Sequence, residues 1–194
     1  MKILVDPGHG GRDSGAISPI GIREADITLI LGRLLRRVVT GLGHSAYLTR
    51  WVDVFVSLED RTRLSNALQP DCFISLHCNS SESGLANGFE IWTSPGITQA
   101  DYLAMEIYRS IERSFPCRRF RPDWADGFPD KEAGFHVLTR TQAPAVLVEL
   151  EFINNAHGEE FLTNPWTQQR AVLAITEGLL QWRRTNDMPR GTEK

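Results

Sequence analysis

Apolar residues follow two patterns along the chain, short continuous runs and repeats at helical spacing. The short runs predict six strands, at 3–5, 46–48, 72–77, 88–93, 135–138 and 145–150. The helical repeats predict helices at 26–41, 58–68, 98–115, 158–162 and 166–182. Strands that alternate with helices indicate an α/β fold, in which a twisted, mostly parallel or mixed sheet of about six strands is covered by helices on both faces.

The domain organisation follows from length and from the lack of any visible linker or repeat. A chain of 194 residues suits one domain, which we place at 1–184, and the polar segment 185–194 is expected to be a disordered tail. The segment 116–134 is rich in Pro, Asp, Arg and aromatic residues and has no periodicity, so we expect a long loop there. Loops of that length in compact domains usually have a function.

Composition narrows the class of protein. The chain is 41% hydrophobic and 23% charged, as is typical of globular proteins, and its net charge of −3 disfavours a nucleic-acid partner. The chain has neither a signal peptide nor the roughly 20 apolar residues of a membrane span, so we expect cytoplasmic synthesis and no membrane partner. Its three cysteines, Cys72, Cys78 and Cys117, do not indicate a disulfide framework.

Four chemically active side chains are expected where strands end and a helix begins. His9 and His77 end the first and third predicted strands, Glu24 starts the first helix, and Glu149 ends the sixth strand. Two imidazoles and one carboxylate are a common catalytic zinc set that leaves a position for water. The spacings match no short-range metal motif, so by themselves they leave open a turn residue, a strand-end histidine, a helix-start carboxylate and a buried ion pair.

Longer motifs identify a family. The chain resembles the zinc-dependent N-acetylmuramoyl-L-alanine amidases of bacterial cell-wall enzymes and phage endolysins, from Ile3 to about Trp182, in the segments ILVDPGHGGRDSGA, READITL, LTR, LEDRTRLSNALQPDCFISLHCNS, GFEIW and PAVLVELEFINN. The resemblance implies that His9, Glu24 and His77 bind zinc and that Glu149 is catalytic. It also implies cleavage of the amide between N-acetylmuramic acid and L-alanine in peptidoglycan.

The resemblance extends to the biological role. Regulated members carry an extra helical segment that blocks the zinc cleft, whereas only the loop 116–134 is available here, so we predict an unregulated, monomeric hydrolase of the endolysin type that acts on the cell wall after release. The excised domain of an exported amidase is the alternative origin. A zinc peptidase that cuts another bond of the stem peptide and a non-catalytic peptidoglycan-binding module are the alternative functions.

One position departs from the family pattern, because Glu151 stands where a glycine is usual. If the strand continues, Glu149 and Glu151 share a face, and we favour a pocket-rim position or an outward salt bridge for Glu151 over a catalytic or metal-binding role.

Neighbouring residues have subsidiary predicted roles. Asp6 and Asn79 are candidates to orient the ligands, and His136, in the predicted strand 135–138, is a candidate substrate contact. His44 is expected to be exposed and His157 to cap a helix.

Overall fold

Six strands form one sheet in the computed structural model, which describes residues 1–187. The strands are β1 (Lys2–Pro7), β2 (Ser45–Leu48), β3 (Cys72–Asn79), β4 (Glu90–Thr93), β5 (Lys131–Glu132) and β6 (Ala145–Phe152). Their order across the sheet is β2-β1-β3-β6-β4-β5. The first four are parallel, β4 is antiparallel to β6, and β5 is parallel to β4. This arrangement confirms the predicted mixed, mostly parallel sheet.

Helices cover both faces of this sheet. They are α1 (Glu24–Gly41), α2 (Leu58–Leu68), α3 (Gln99–Ser114), α4 (His136–Thr139), α5 (Ala156–Thr163) and α6 (Pro165–Asp187). The larger apolar core lies between the sheet and α1, α3, α5 and α6, and a smaller core joins the other face to α2 and α4. None of the helices within residues 1–187 combines the length and the apolar character that a membrane crossing requires.

Polar side chains at the helix starts explain several boundaries. Ser57 accepts a hydrogen bond from the Asp60 N–H at the start of α2, and Thr98 and Asp101 form a reciprocal capping box at the start of α3. Asn155 caps α5, so the prediction that His157 caps this helix was wrong; His157 lies in the first turn. A side chain with an oxygen acceptor satisfies the free N–H groups of the turn better than an imidazole two residues later.

Three elements differ most from the sequence prediction. Strand β5 lies within the predicted loop 116–134. The predicted strand 135–138 is the one-turn helix α4, which buries Val137 and Leu138 in the smaller core. A run of four residues, three of them apolar, is too short to show a periodicity that separates strand from helix. Helix α6 continues to Asp187, past the predicted domain limit at 184, and the remainder of the predicted tail, 188–194, lies outside the described residues.

Candidate metal centre

Two histidines from distant parts of the chain lie close to the same carboxylate oxygen of Glu24. His9 Nε2 lies 3.2 Å and His77 Nδ1 lies 3.0 Å from Glu24 Oε1. Each residue offers a ligand atom, and these atoms lie within 4.8 Å of one another. The two imidazole rings meet edge to face, with centroids 4.9 Å apart. The structure therefore brings together the three residues that the sequence predicted as metal ligands.

The turn after β1 allows this close approach. His9, two residues after the end of β1, adopts a left-handed conformation with φ of 60°. A Cβ atom at Gly8 would lie only 2.3 Å from His77 Cε1. Since ordinary carbon contacts are about 3.5–4.0 Å, any side chain at position 8 would displace the His77 ring.

The carboxylate of Glu24 is held in place by the backbone around it. Glu24 is the first residue of α1 and is only 4% exposed. Its Oε1 also accepts a hydrogen bond from the Cys78 N–H at 2.9 Å, and its Oε2 accepts one from the Ala16 N–H at 2.9 Å. Backbone donors hold both oxygens, so the carboxylate is pre-oriented towards the imidazoles. The Cys78 side chain itself packs in the larger core.

Asp13 orients the first histidine, a role that sequence reasoning missed. Its Oδ2 lies 3.0 Å from His9 Nδ1, and its Oδ1 accepts the Gly15 N–H. A carboxylate on Nδ1 fixes the tautomer that leaves the Nε2 lone pair free for a metal. The only signal in the sequence is the four-residue separation of a histidine and an aspartate within one glycine-rich turn.

Buried arginines brace the backbone behind the ligands. Arg61 pairs with Asp6 at 2.5 Å and donates to the carbonyl oxygens of Pro7 and His9. Arg50 donates to the carbonyl oxygen of Gly8. Asp6 therefore positions the backbone of His9 indirectly, because it holds the Arg61 side chain that donates to the His9 carbonyl oxygen. This agrees with the orienting role predicted for Asp6. Sequence reasoning assigned no role to either arginine.

Two other predictions about neighbours need correction. The amide of Asn79 donates to Glu90 Oε2 rather than to a ligand, so no orienting contact with the metal cluster is made. His44 is half-buried rather than exposed, because its Nδ1 lies 3.2 Å from the N-terminal amine.

The charges in the cluster favour a cation. Burial opposes protonation of His9, but hydrogen bonds to Glu24 and Asp13 and their charges raise its pKa to about 9. Burial likewise opposes protonation of His77, and Glu24 and Glu149 raise its pKa. The pKa of Glu24 is lowered because its hydrogen bonds to both histidines outweigh its burial. Two nitrogen donors and one anionic oxygen fit a catalytic zinc ion, which takes three such protein ligands.

Glu149 lies beside this cluster without a hydrogen-bond partner. It pairs in register with His77 across β3 and β6, and its Oε2 is buried and accepts no hydrogen bond from residues 1–187. Burial is the main cause that raises the pKa of Glu149 to about 7, with His77 opposing the shift and repulsion from Glu24 and Glu90 adding to it. A carboxyl group with this pKa exchanges protons readily at neutral pH. Glu149 does not lie at the end of its strand, as the sequence predicted, because β6 continues to Phe152.

Glu90 is a second carboxylate that sequence reasoning overlooked. It faces Glu149 in the antiparallel pair of β4 and β6 and is 5% exposed. Burial opposes its ionisation, but Lys131 at 2.8 Å and Arg121 at 2.7 Å lower its pKa. Glu90 therefore stays ionised and supplies a fixed negative charge beside Glu149.

Glu151 does not share a face with Glu149, contrary to the prediction. His77 pairs with Glu149 and Asn79 with Phe152, so Cys78 alone opposes two residues of β6. This β-bulge reverses the alternation after Glu149. Glu151 is buried on the side of the larger core, where it accepts the Gly88 N–H at 2.6 Å and lies 3.9 Å from Arg118. It is not on the rim of the pocket that contains Glu149, but the predicted salt bridge exists, with the partly exposed Arg118.

The cluster opens into a pocket of about 320 Å³. Its wall includes His9, His77, Glu149, Phe55, Phe135 and His136. His136 reaches this wall from α4 and not from a strand, and its Nε2 lies 3.5 Å from Glu59 Oε2. Its contact with a substrate stays a prediction.

Comparison with known proteins places this architecture in context. A family model described as N-acetylmuramoyl-L-alanine amidase matches residues 3–181. The amidase LytC of Bacillus subtilis is 30% identical over 94% of the chain, and the amidase CwlM of Bacillus licheniformis is 36% identical over 92%. The chain spans 35% of the length of LytC and 67% of the length of CwlM.

A solved structure is similar over almost its entire length. The amidase AmiC2 of Nostoc punctiforme superposes with a TM-score of 0.86 at 28% sequence identity. The match covers 95% of the present chain and 97% of AmiC2.

Proposed function

Because the chain belongs to the N-acetylmuramoyl-L-alanine amidase family, we propose that it hydrolyses the amide bond between N-acetylmuramic acid and L-alanine in peptidoglycan. The membership confirms the resemblance drawn from the motifs. In this proposal His9, Glu24 and His77 hold a zinc ion and Glu149 transfers protons. The observation that carries it is the convergence of three ligand atoms next to a carboxyl group that has no hydrogen-bond partner within residues 1–187.

In the proposed reaction, the metal and each of the surrounding side chains have a separate role. When bound, zinc supplies Lewis acidity towards the substrate carbonyl and makes a water more acidic. Glu149 accepts the proton of the attacking water and returns it to the leaving amine, and a pKa of about 7 suits both steps. Asp13 holds the imidazole of His9, and Arg61 fixes the backbone that carries it. Glu90 keeps Glu149 from becoming too acidic beside a cation.

An open pocket supports the finer proposal of an unregulated hydrolase. No residue of 116–130 contributes to the wall of the pocket, and this segment contains no helix in the described part of the chain. Substrate therefore reaches the carboxylate without displacement of a plug. We infer a monomeric enzyme that acts on the cell wall in the manner of an endolysin, and a domain of a longer exported amidase is the competing origin.

The test is incubation of the chain with purified peptidoglycan, followed by identification of the new chemical ends. We expect new L-alanine amino groups without new reducing sugars, loss of activity with a chelator, and recovery with zinc. New amino groups on other stem residues would instead identify a peptidase, and binding without cleavage would identify a non-catalytic module.

A matched pair of variants tests the role of Glu149. Glu149→Gln should keep zinc but lose at least about 100-fold in turnover, because amide nitrogen and oxygen cannot exchange the proton. Glu151→Gln removes a carboxylate only two positions away that lies outside the pocket. It should retain activity. Loss of activity in Glu151→Gln with retention in Glu149→Gln would reverse the assignment.

A further inference from the structure

A second group of carboxylates lies at the start of α3, on elements that the metal centre does not use. Each of three residues offers an oxygen within 4.8 Å of the others. They are Asp101 in the first turn of α3, Asp126 in the loop between α3 and β5, and Glu132 in β5. Asp130 lies beside them, because it accepts a hydrogen bond from the hydroxyl of Thr93, and Thr93 pairs with Glu132 across β4 and β5. Burial is the main cause that raises the pKa of Asp130 to about 6; the hydrogen bond from Thr93 opposes the shift, and repulsion from Asp101 and Asp126 adds to it.

Sheet topology separates this group from the metal centre. Strand β4 runs antiparallel to β6, so Thr93 at its end lies level with the start of β6. His77 and Glu149 lie towards the opposite ends of β3 and β6. The two carboxylate-containing clusters therefore lie towards opposite ends of the strands.

Two of these carboxylates have a buried oxygen that accepts no hydrogen bond. Asp101 is 0% exposed; its Oδ2 accepts from the N–H and hydroxyl of Thr98, but its Oδ1 has no partner within residues 1–187. Asp130 is 3% exposed; its Oδ2 accepts from the Thr93 hydroxyl, and its Oδ1 is likewise without a partner there. Buried, unpaired carboxylate oxygens are costly unless a cation compensates them.

No protein cation supplies that compensation. Across residues 1–187 no ion pair involves Asp101, Asp126, Asp130 or Glu132. Lys131 lies between two of them in sequence, but its Nζ binds Glu90 and stacks over Trp92. Four acidic side chains thus share one small region without a neutralising partner among the described residues.

We propose that Asp101, Asp126, Asp130 and Glu132 form a calcium site. The donors are all oxygens, which suits a hard cation and disfavours zinc. Calcium accepts six to eight oxygens in flexible geometry, whereas magnesium demands a regular octahedron that side chains from a helix, a loop and a strand do not readily build. The ion joins the start of α3 to β5 and to the loop that carries Arg121, one of the two cations on Glu90.

The test is a calorimetric titration of the full, zinc-loaded chain with CaCl₂, and separately with MgCl₂. Zinc saturation keeps the first cluster filled, and peptidoglycan is not needed, so the result is independent of the proposed amidase activity. We expect one calcium ion per chain with a dissociation constant of about 10⁻⁴ to 10⁻³ M, and weaker binding of magnesium. Absence of calcium binding, or equally tight magnesium binding, would overturn the assignment.

Variants locate the site. The double variant Asp126→Asn/Glu132→Gln changes two exposed carboxylates and should fold normally, yet weaken calcium binding at least tenfold. Asp123→Asn changes an exposed aspartate of the same loop, whose carboxylate accepts the Ala125 N–H, and should bind calcium as the unaltered chain does. Calcium binding that survives in the double variant would refute the site.

Discussion

Replacing Gly8 with alanine should displace the ring of His77 and disable the metal centre. The added Cβ would lie 2.3 Å from Cε1, 2.5 Å from Nε2 and 2.7 Å from Nδ1 of His77. An ordinary contact is about 3.5–4.0 Å, so the ring or the turn must move by about 1 Å. Gly8 is not among the residues with positive φ, so the alanine introduces this clash without backbone strain.

The consequence is large because His77 Nδ1 lies only 3.0 Å from Glu24 Oε1. A displacement of about 1 Å at a reacting centre costs about 100-fold in rate, and the overpacking itself should cost about 1–3 kcal/mol of unfolding free energy. We therefore expect zinc affinity to fall by at least about tenfold and kcat/KM on peptidoglycan to fall by about 100-fold.

Zinc affinity is measured by competition with a chromogenic chelator, and unfolding free energy by urea titration. Gly134→Ala is the matched control, since a Cβ at that position meets no atom within 4 Å. A folded Gly8→Ala variant with unaltered zinc affinity and turnover would refute the inferred contact between Gly8 and the His77 ring.

Three further predictions concern polar groups. Asp13→Asn should weaken zinc binding about 10–100-fold, because His9 loses the carboxylate that fixes its tautomer. Arg61→Met should lower the unfolding free energy by about 3–5 kcal/mol in urea titration, because Asp6 is left buried and unpaired. Asp130→Asn should gain about 2 kcal/mol of stability relative to the unaltered chain between pH 4 and pH 7 in calcium-free buffer, because a folded-state pKa of about 6 against 3.8 makes ionisation oppose folding.

Each of these predictions has a control and a contrary outcome. Arg63→Met breaks an exposed pair with Asp60 and should change stability by less than about 1 kcal/mol. An equal loss in both arginine variants would contradict the buried-pair argument. Asp123→Asn should leave the pH dependence unchanged, and a flat difference between Asp130→Asn and the unaltered chain from pH 4 to pH 7 would contradict the raised pKa. Zinc binding by Asp13→Asn at full affinity would show that His9 needs no orienting partner.

Sequence patterns predicted the long helices and every strand except β5, because each of these elements buries apolar residues. Strand β5 has two residues, Lys131 and Glu132, with no buried apolar side chain, and it lies within the predicted loop 116–134. Helix α2 begins and ends at the predicted residues 58 and 68, since Ser57 and Pro70 mark both limits. Helix α4 could not be predicted, because a single turn has too few residues to show a period. Its conformation depends on Val137 and Leu138 reaching Leu4 and Phe73 across the smaller core.

The candidate ligands were accessible to sequence analysis only through the family motifs. His9, Glu24 and His77 are too far apart in the chain for any spacing rule, and the sheet brings them together. The contacts of Asp13 and Arg61 depend on tertiary placement that has no periodic signature. Glu90 was missed because its importance arises only from the pairing of β4 with β6.

The bulge in β6 has a consequence for how this enzyme can evolve. One surplus residue between Glu149 and Phe152 places two nearby acids in separate environments, one in the pocket and one against Gly88 in the core. A substitution at position 151 therefore changes the contact with Gly88 and leaves the wall of the pocket that contains Glu149 intact. Deletion of Leu150 would remove the surplus residue and change how Cys78 pairs with β6, so in this strand a change of length disturbs the strand pairing more than a change of residue does.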